Sequence, residues 1–164
     1  MMVIDQAVPF NSPLETGVRS LVILNAVFPN SLDLQRLVNF DYLVVHSSDA
    51  GGPESLHAPL PLRSGELLVR RGLIEKGLIL MMSRGLISRE PTLSGIQYVA
   101  ADAANPFLEA LNSTYMFKLK ERAAWVAERF HDATSDEISN TTRSFFNDWA
   151  TQFQAIESPS MRLL

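Results

Sequence analysis

The stretch VHSSDAGGPESLHAPLPLRSGE, from Val45 to Glu66, gathers the residue types that do chemistry. His46, Asp49 and His57 could in principle be three metal ligands. Ser47 and Ser48 stand beside His46 as a possible nucleophile and base. The spacing supports neither reading. H-x-x-D-x7-H matches no zinc signature, and neither histidine has an i, i+4 partner on a helix to pre-orient a pair. Adjacent residues seldom form a catalytic dyad, because their side chains diverge. Gly51-Gly52 lies in no G-x-x-x-x-G-K-[ST] or G-x-G-x-x-G pattern, and no G-x-S-x-G occurs. The simpler reading is a stiff connector. Gly51-Gly52 opens backbone conformations closed to other residues, and Pro53, Pro59 and Pro61 stiffen the rest of the loop. His46 ends a helix whose dipole favours an imidazolium. No catalytic residue, metal ligand set or cofactor is expected.

The elements around this loop are mostly helical. Ser12-Pro13-Leu14-Glu15 carries the signature of a capping box with proline at the first helical position. The helix it starts runs to about Phe28 and presents Leu14, Val18, Leu21, Val22 and Leu24 on one face. After a corner at Pro29-Asn30, Ser31 is the expected cap of a second helix bearing Leu34, Leu37, Val38, Tyr42 and Val45. The loop comes next, over about 47–63. A third helix spans Ser64 to about Arg84, with Leu67, Leu68, Ile74, Leu78, Met81 and Met82 at helical spacing. Gly72 and Gly77 weaken it or admit a close neighbour, and Gly85 reads as its stop. Leu86-Ile87-Ser88 and Ile96 to Ala100 read as strands about a turn at 89–95. Three helices and a hairpin in this order predict a winged helix-turn-helix.

Three further helices are expected. Asp102 or Asn105 opens a short one to about Leu111. The next runs from Thr114 to Phe130, with Tyr115, Leu119, Ala123, Val126 and Phe130 on one side. Ser135 caps the last, from Asp136 to about Ile156, which carries Ile138, Phe145, Phe146, Trp149 and Phe153. One of Phe145 and Phe146 must leave the core stripe. The 164 residues form one expected domain, with a winged-helix part at about 12–100 and a helical part at about 101–156.

Charge narrows the function classes. Fourteen basic against 18 acidic residues give a net charge of −4, and the pI is about 5.3. An autonomous DNA binder is usually basic, because phosphate neutralisation drives its affinity. A local basic face is still present. Arg63, Arg70, Arg71, Lys76 and Arg84 lie on or beside the third helix, against Glu66 and Glu75. They can meet phosphates or a protein partner, or form a solvated face with pairs such as Arg71 with Glu75. The chain has no cysteine, which removes disulfides and thiolate zinc sites. Its first residues, MMVIDQAVPFNSP, lack a basic n-region and are not read as a signal peptide. No apolar run approaches the roughly 20 residues of a membrane span. A cytoplasmic protein is expected.

The blocks PFNSPLETGVRSLVILNAVFP, FDYLVVHSSDAGGPESLHAPLP, GELLVRRGLIEKGLILMMSRGLI and LKERAAWVAERF together resemble the middle component of bacterial ABC-three-component systems. The likeness runs from about Pro9 to the last helix. It implies a small, winged-helix-like, non-catalytic subunit placed between an SMC-like ABC ATPase and an effector, often a nuclease. Lamassu-type antiphage complexes are built in this way. The resemblance further implies a seat near the ATPase head and neck, from which the effector is held until foreign DNA is sensed. It supplies no catalytic residues. Asp49, His57, Arg63, Arg70 and Arg71 are the residues expected to hold the loop or contact the ATPase, with Lys76 and Arg84 as further contacts to a partner or to double-stranded DNA. A winged-helix transcription regulator is the rival reading, and a metal hydrolase using His46, Asp49 and His57 a third.

Overall fold

The computed structural model describes residues 12–57, 64–134 and 136–144, with 64–67 as backbone only. Arg63, Ser135, Phe145, Phe146, Trp149 and Phe153 lie outside the described residues. Within them the fold is mainly α-helical with one small antiparallel hairpin.

Helix α1, Pro13–Val27, starts where its capping sequence says it should. Ser12 is extended, and its Oγ accepts the Glu15 N–H at 3.1 Å. The helix ends before Pro29, across a cis Phe28–Pro29 peptide. Leu21, Val22, Ile23 and Leu24 are all buried, so α1 is covered on every side at that level. It is the central helix, in contact with α2 (Leu34–Val45), α3 (Ser64–Ser83), α4 (Ala104–Glu109) and α5 (Thr114–Phe130). Leu14, expected in its core face, is exposed at the helix start.

The second helix begins differently from expectation. Asp33, not Ser31, is its cap, accepting the Arg36 N–H at 2.8 Å. Ser31 instead donates to Gln97 at 3.2 Å. Leu32 next to it bridges Tyr98 through two backbone hydrogen bonds, at 2.8 and 2.9 Å. The corner thus docks on the hairpin, a long-range pairing that local sequence does not reveal. A one-turn 3-10 helix, Ser47–Ala50, comes directly after α2.

Helix α3 crosses α1 at two glycines. A Cβ built on Gly77 would lie 2.6 Å from the Gly17 nitrogen, and one on Gly17 would lie 2.8 Å from the Gly77 oxygen. The backbones themselves are in contact, which only glycine permits. Gly85, at φ +72°, closes α3. Its N–H reaches the Met82 carbonyl, and the Leu86 N–H reaches that of Met81, a Schellman end. Leu68 is 73% exposed rather than core.

The hairpin is longer and its turn tighter than expected. Strand β1, Ile87–Thr92, pairs with β2, Gly95–Ala100, so only Leu93-Ser94 turns. Pro91 belongs to the strand and not to the turn, because a two-stranded ribbon is all edge and tolerates a residue without an N–H. Helix α4 has no side-chain cap, so neither Asp102 nor Asn105 fills that role. Ser113 caps α5 by accepting the Met116 N–H at 3.2 Å. A further helical stretch, 136–144, begins with a reciprocal box. Thr134 Oγ1 accepts the Glu137 N–H at 3.1 Å, and Glu137 accepts the Thr134 N–H at 3.3 Å. One cluster of buried side chains joins α1, α2 and α3 to Leu119, Val126 and Ile138.

Candidate functional site

The chemistry-bearing residues converge behind α3, around Asp41. This aspartate sits in the apolar run FDYLVV and is fully buried. Arg19 of α1, 2% exposed, grips it with two nitrogens, at 2.8 and 3.3 Å. Arg70 of α3 donates to the same carboxylate from the other side. One carboxylate therefore ties three helices together.

From this centre the contacts run into the loop. The Arg70 guanidinium lies 5.8 Å from the centre of the Tyr42 ring. Tyr42 donates its hydroxyl to Asp49 at 2.8 Å. His46 packs beside Tyr42, and His57 meets His46 edge-on at 6.2 Å between ring centres. His57 Nε2 is hydrogen bonded to the Tyr115 hydroxyl of α5 at 3.2 Å.

The loop backbone is held as firmly. Val45, left with an open carbonyl at the end of α2, accepts N–H groups from Leu56 and His57. Ser47 Oγ donates to the Pro53 carbonyl at 2.9 Å. Arg122 of α5 grasps the Glu54 carbonyl with Nε and Nη2, at 3.0 and 2.8 Å. The two loop glycines answer different needs. Gly51 adopts φ +78°, whereas Gly52 lies flat against Trp125, whose ring a Cβ would meet at 2.5 Å.

Burial sets the protonation states. Burial alone would raise the Asp41 carboxyl, but the Arg19 and Arg70 guanidiniums overcome it and hold the pKa down at about 2. Burial, with help from Arg70, depresses His46 to about 4. Burial and Arg19 bring His57 to about 4 as well. Burial also raises the Tyr42 and Tyr115 hydroxyls. The expectation that His46 is an imidazolium at the helix end is therefore corrected. Desolvation and nearby guanidiniums outweigh the helix dipole, and the ring is neutral at neutral pH.

The arrangement is a fastening, a knot of polar side chains that runs from Arg19 and Asp41 through the loop to Tyr115 and Arg122. Asp49 faces Tyr42, His57 faces Tyr115, and the two imidazoles stand edge to face. Among the described residues no group of three or more His, Asp or Glu could hold a metal ion. The basic residues of α3 divide in two. Arg70 turns inward at 18% exposure, while Arg71 donates to Gln35 of α2 at 3.2 Å. Lys76 and Arg84 are exposed. Sequence reasoning misses Arg19, Asp41, Tyr115 and Arg122. A charge within an apolar helical stripe is the available signal for the first two.

The family model for "ABC-three component (ABC-3C) system Middle Component 2" matches residues 9–152. The chain belongs to this family. Middle components of this kind are non-catalytic accessory components, and their setting is antiphage defence. The match to the middle component family takes in every residue of the knot, from Arg19 to Arg122. No curated protein and no solved structure matches the chain. No helix among the described residues of this middle component is long and apolar enough to cross a membrane.

Proposed function

We propose that this middle component bridges an SMC-like ABC ATPase and an effector such as a nuclease, and helps couple DNA sensing to effector release in the cytoplasm. The observation that carries the reading is the family match over residues 9–152, which spans the knot, α3 and the hairpin together. The knot supports a scaffold role. Its titratable groups are engaged with one another across α1, α2, α3 and α5, which fixes the surface that α3 presents.

The finer fold is part of the proposal. A winged-helix arrangement is supported by the Leu32–Tyr98 bridge, because a short extended piece between the first two helices then lies against the wing. Helix α2 ends at Val45 and α3 begins at Ser64, where a helix-turn-helix has a turn of about 3–4 residues. The 12–100 and 101–156 parts are taken as one domain with a shared core.

Arg71 and Arg84 are proposed as ATPase contacts, with Lys76 beside them. Asp49, His57 and Arg70 are proposed to hold the loop, and Arg63, outside the described residues, is proposed as a further partner contact. Double-stranded DNA is a proposed ligand only within the complex. The test is co-expression with the neighbouring ATPase and effector genes. Arg71→Glu with Arg84→Glu should reduce recovery of the ATPase and phage protection at least several-fold, with thermal unfolding unchanged. Full recovery and full protection would remove these contacts from the reading. A transcription regulator would instead bind operator-sized duplex alone, with a steep salt dependence.

A further inference from the structure

The first turns of α1 and α5 do not close on each other. Between them lies an open pocket of about 270 Å³. Its walls are apolar, with Leu14 and Val18 from α1, Leu111 from the turn before α5, and Met116 and Leu119 from α5. Leu119 is buried, whereas Leu14 is 58% exposed and Val18, Leu111 and Met116 are only half-buried. A cavity of roughly 150 Å³ already takes a benzene ring, so this one has room for an aromatic side chain and an aliphatic one.

The chain itself supplies such an occupant. The described residues begin at Ser12, the cap of α1, two positions before Leu14. Residues 1–11, MMVIDQAVPFN, precede it, and the apolar side chains nearest the cap are Val8, Pro9 and Phe10. The family match begins at residue 9 and so takes in Pro9 and Phe10. Ser12 is extended, so the chain leaves α1 without prolonging the helix. The reach is sufficient. Val18 stands about 9 Å along the helix from the cap, and four residues of extended chain span roughly 14 Å. Residues two apart share one side of an extended chain, so Val8 and Phe10 can enter one groove together while Pro9 faces away. Charge fits as well. Half-buried Glu15 also lines the pocket and disfavours an acidic occupant, and Gln6 to Asn11 carry no charge. A tether this short holds the segment at an effective concentration of about millimolar or more, so a modest apolar contact suffices.

We propose that the segment before Ser12 folds back over the start of α1 and seats Phe10, with Val8 beside it, in the pocket between α1 and α5. The seated ring straps the first turns of the two helices together. A partner that uses this pocket must first draw the segment off. The proposal does not depend on the bridging role.

Nuclear magnetic resonance of the full chain with labelled methyl groups tests it. The Phe10 ring should show Overhauser contacts to the methyls of Val18, Leu111 and Met116. Phe10→Ala should shift those three resonances and leave that of Ile138, buried elsewhere, in place. The cysteine-free chain permits a covalent check. Phe10→Cys with Met116→Cys should close a disulfide within one molecule under oxidation. Phe10→Cys with Lys118→Cys should not, because Lys118 is exposed and lies about 200° around α5 from Met116. Circular dichroism confirms that each variant is folded. A Phe10 ring without contact to these methyls, whose resonances ignore Phe10→Ala, overturns the proposal. Equal cross-linking to positions 116 and 118 overturns it too. Methyl resonances that ignore Phe10→Ala but shift when the ATPase is added assign the pocket to that partner instead.

Discussion

At the scale of single residues, Asp41 decides most. It is a fully buried anion between two cations, and removing one member of such a group leaves an uncompensated charge. Asp41→Asn should therefore cost about 3–5 kcal/mol, read from urea or thermal unfolding. Arg70→Gln should cost less, because Arg70 is 18% exposed and the Arg19–Asp41 pair survives. An Asp41→Asn chain as stable as the parent would show that the triad contributes little.

The same residues make stability depend on pH. Unfolded histidines take up protons near pH 6.5, whereas His46 and His57 in the native chain do so near 4. Between these values the unfolded state binds more protons, so native stability falls as the pH falls from about 6.5 to 4. Asp41 adds to the loss from about 3.8 downward, since its native pKa is about 2. The expected total is on the order of a few kcal/mol. His57→Gln should flatten the upper part of the curve in a thermal-shift series. A midpoint constant from pH 7 to 4 would contradict the burial argument. Asp49 and His57 are recognisable in the sequence as polar residues in an unusual loop. Asp41 and Arg19 show in the sequence only as single charges in apolar stripes, which a reading by periodicity averages over and so passes by.

At the scale of elements, glycines at two positions of α3 should respond in opposite directions. Gly77→Ala drives a Cβ into the Gly17 backbone and should destabilise by about 1–3 kcal/mol. A Cβ on Gly72 meets no atom of the described residues within 4 Å, so Gly72→Ala should stabilise the helix by about 0.5–1 kcal/mol. Equal effects at the two sites would mean that the α1–α3 crossing is looser than its interatomic distances indicate. Helix positions are largely legible in the sequence. α1, α3 and α5 begin and end within a residue or so of where capping and periodicity place them. The cap of α2 differs from expectation for a physical reason. Ser31 and Asp33 are both good caps, and the choice between them depends on the Leu32–Tyr98 pairing, made by residues far apart in sequence. The hairpin turn differs for a related reason, since Pro91 argues against a strand only when that strand needs its N–H.

At the scale of the whole molecule, the loop works as a joint between α2 and α5. Arg122 holds Glu54, Trp125 lies on Gly52, and Tyr115 meets His57. Gly52→Ala should displace the Trp125 ring and loosen this joint. The expected readout is a changed tryptophan emission and faster amide exchange over residues 46–57, with the helical signal kept. Unchanged exchange would separate the loop from α5. The joint also bears on function, because the surface offered by α3 is only as fixed as the knot behind it.

The sequence by itself determined the helices, the hairpin, the family and the unusual character of the loop. Those arise from local backbone preferences, apolar periodicity and long distinctive blocks, which are properties of neighbouring residues. Tertiary structure decided what the polar residues are for. Whether Arg70 faces a partner or Asp41, and whether His46 is charged or neutral, depends on which groups other helices bring within hydrogen-bond reach and on how much water they exclude. Neither quantity is written at any one position of the chain.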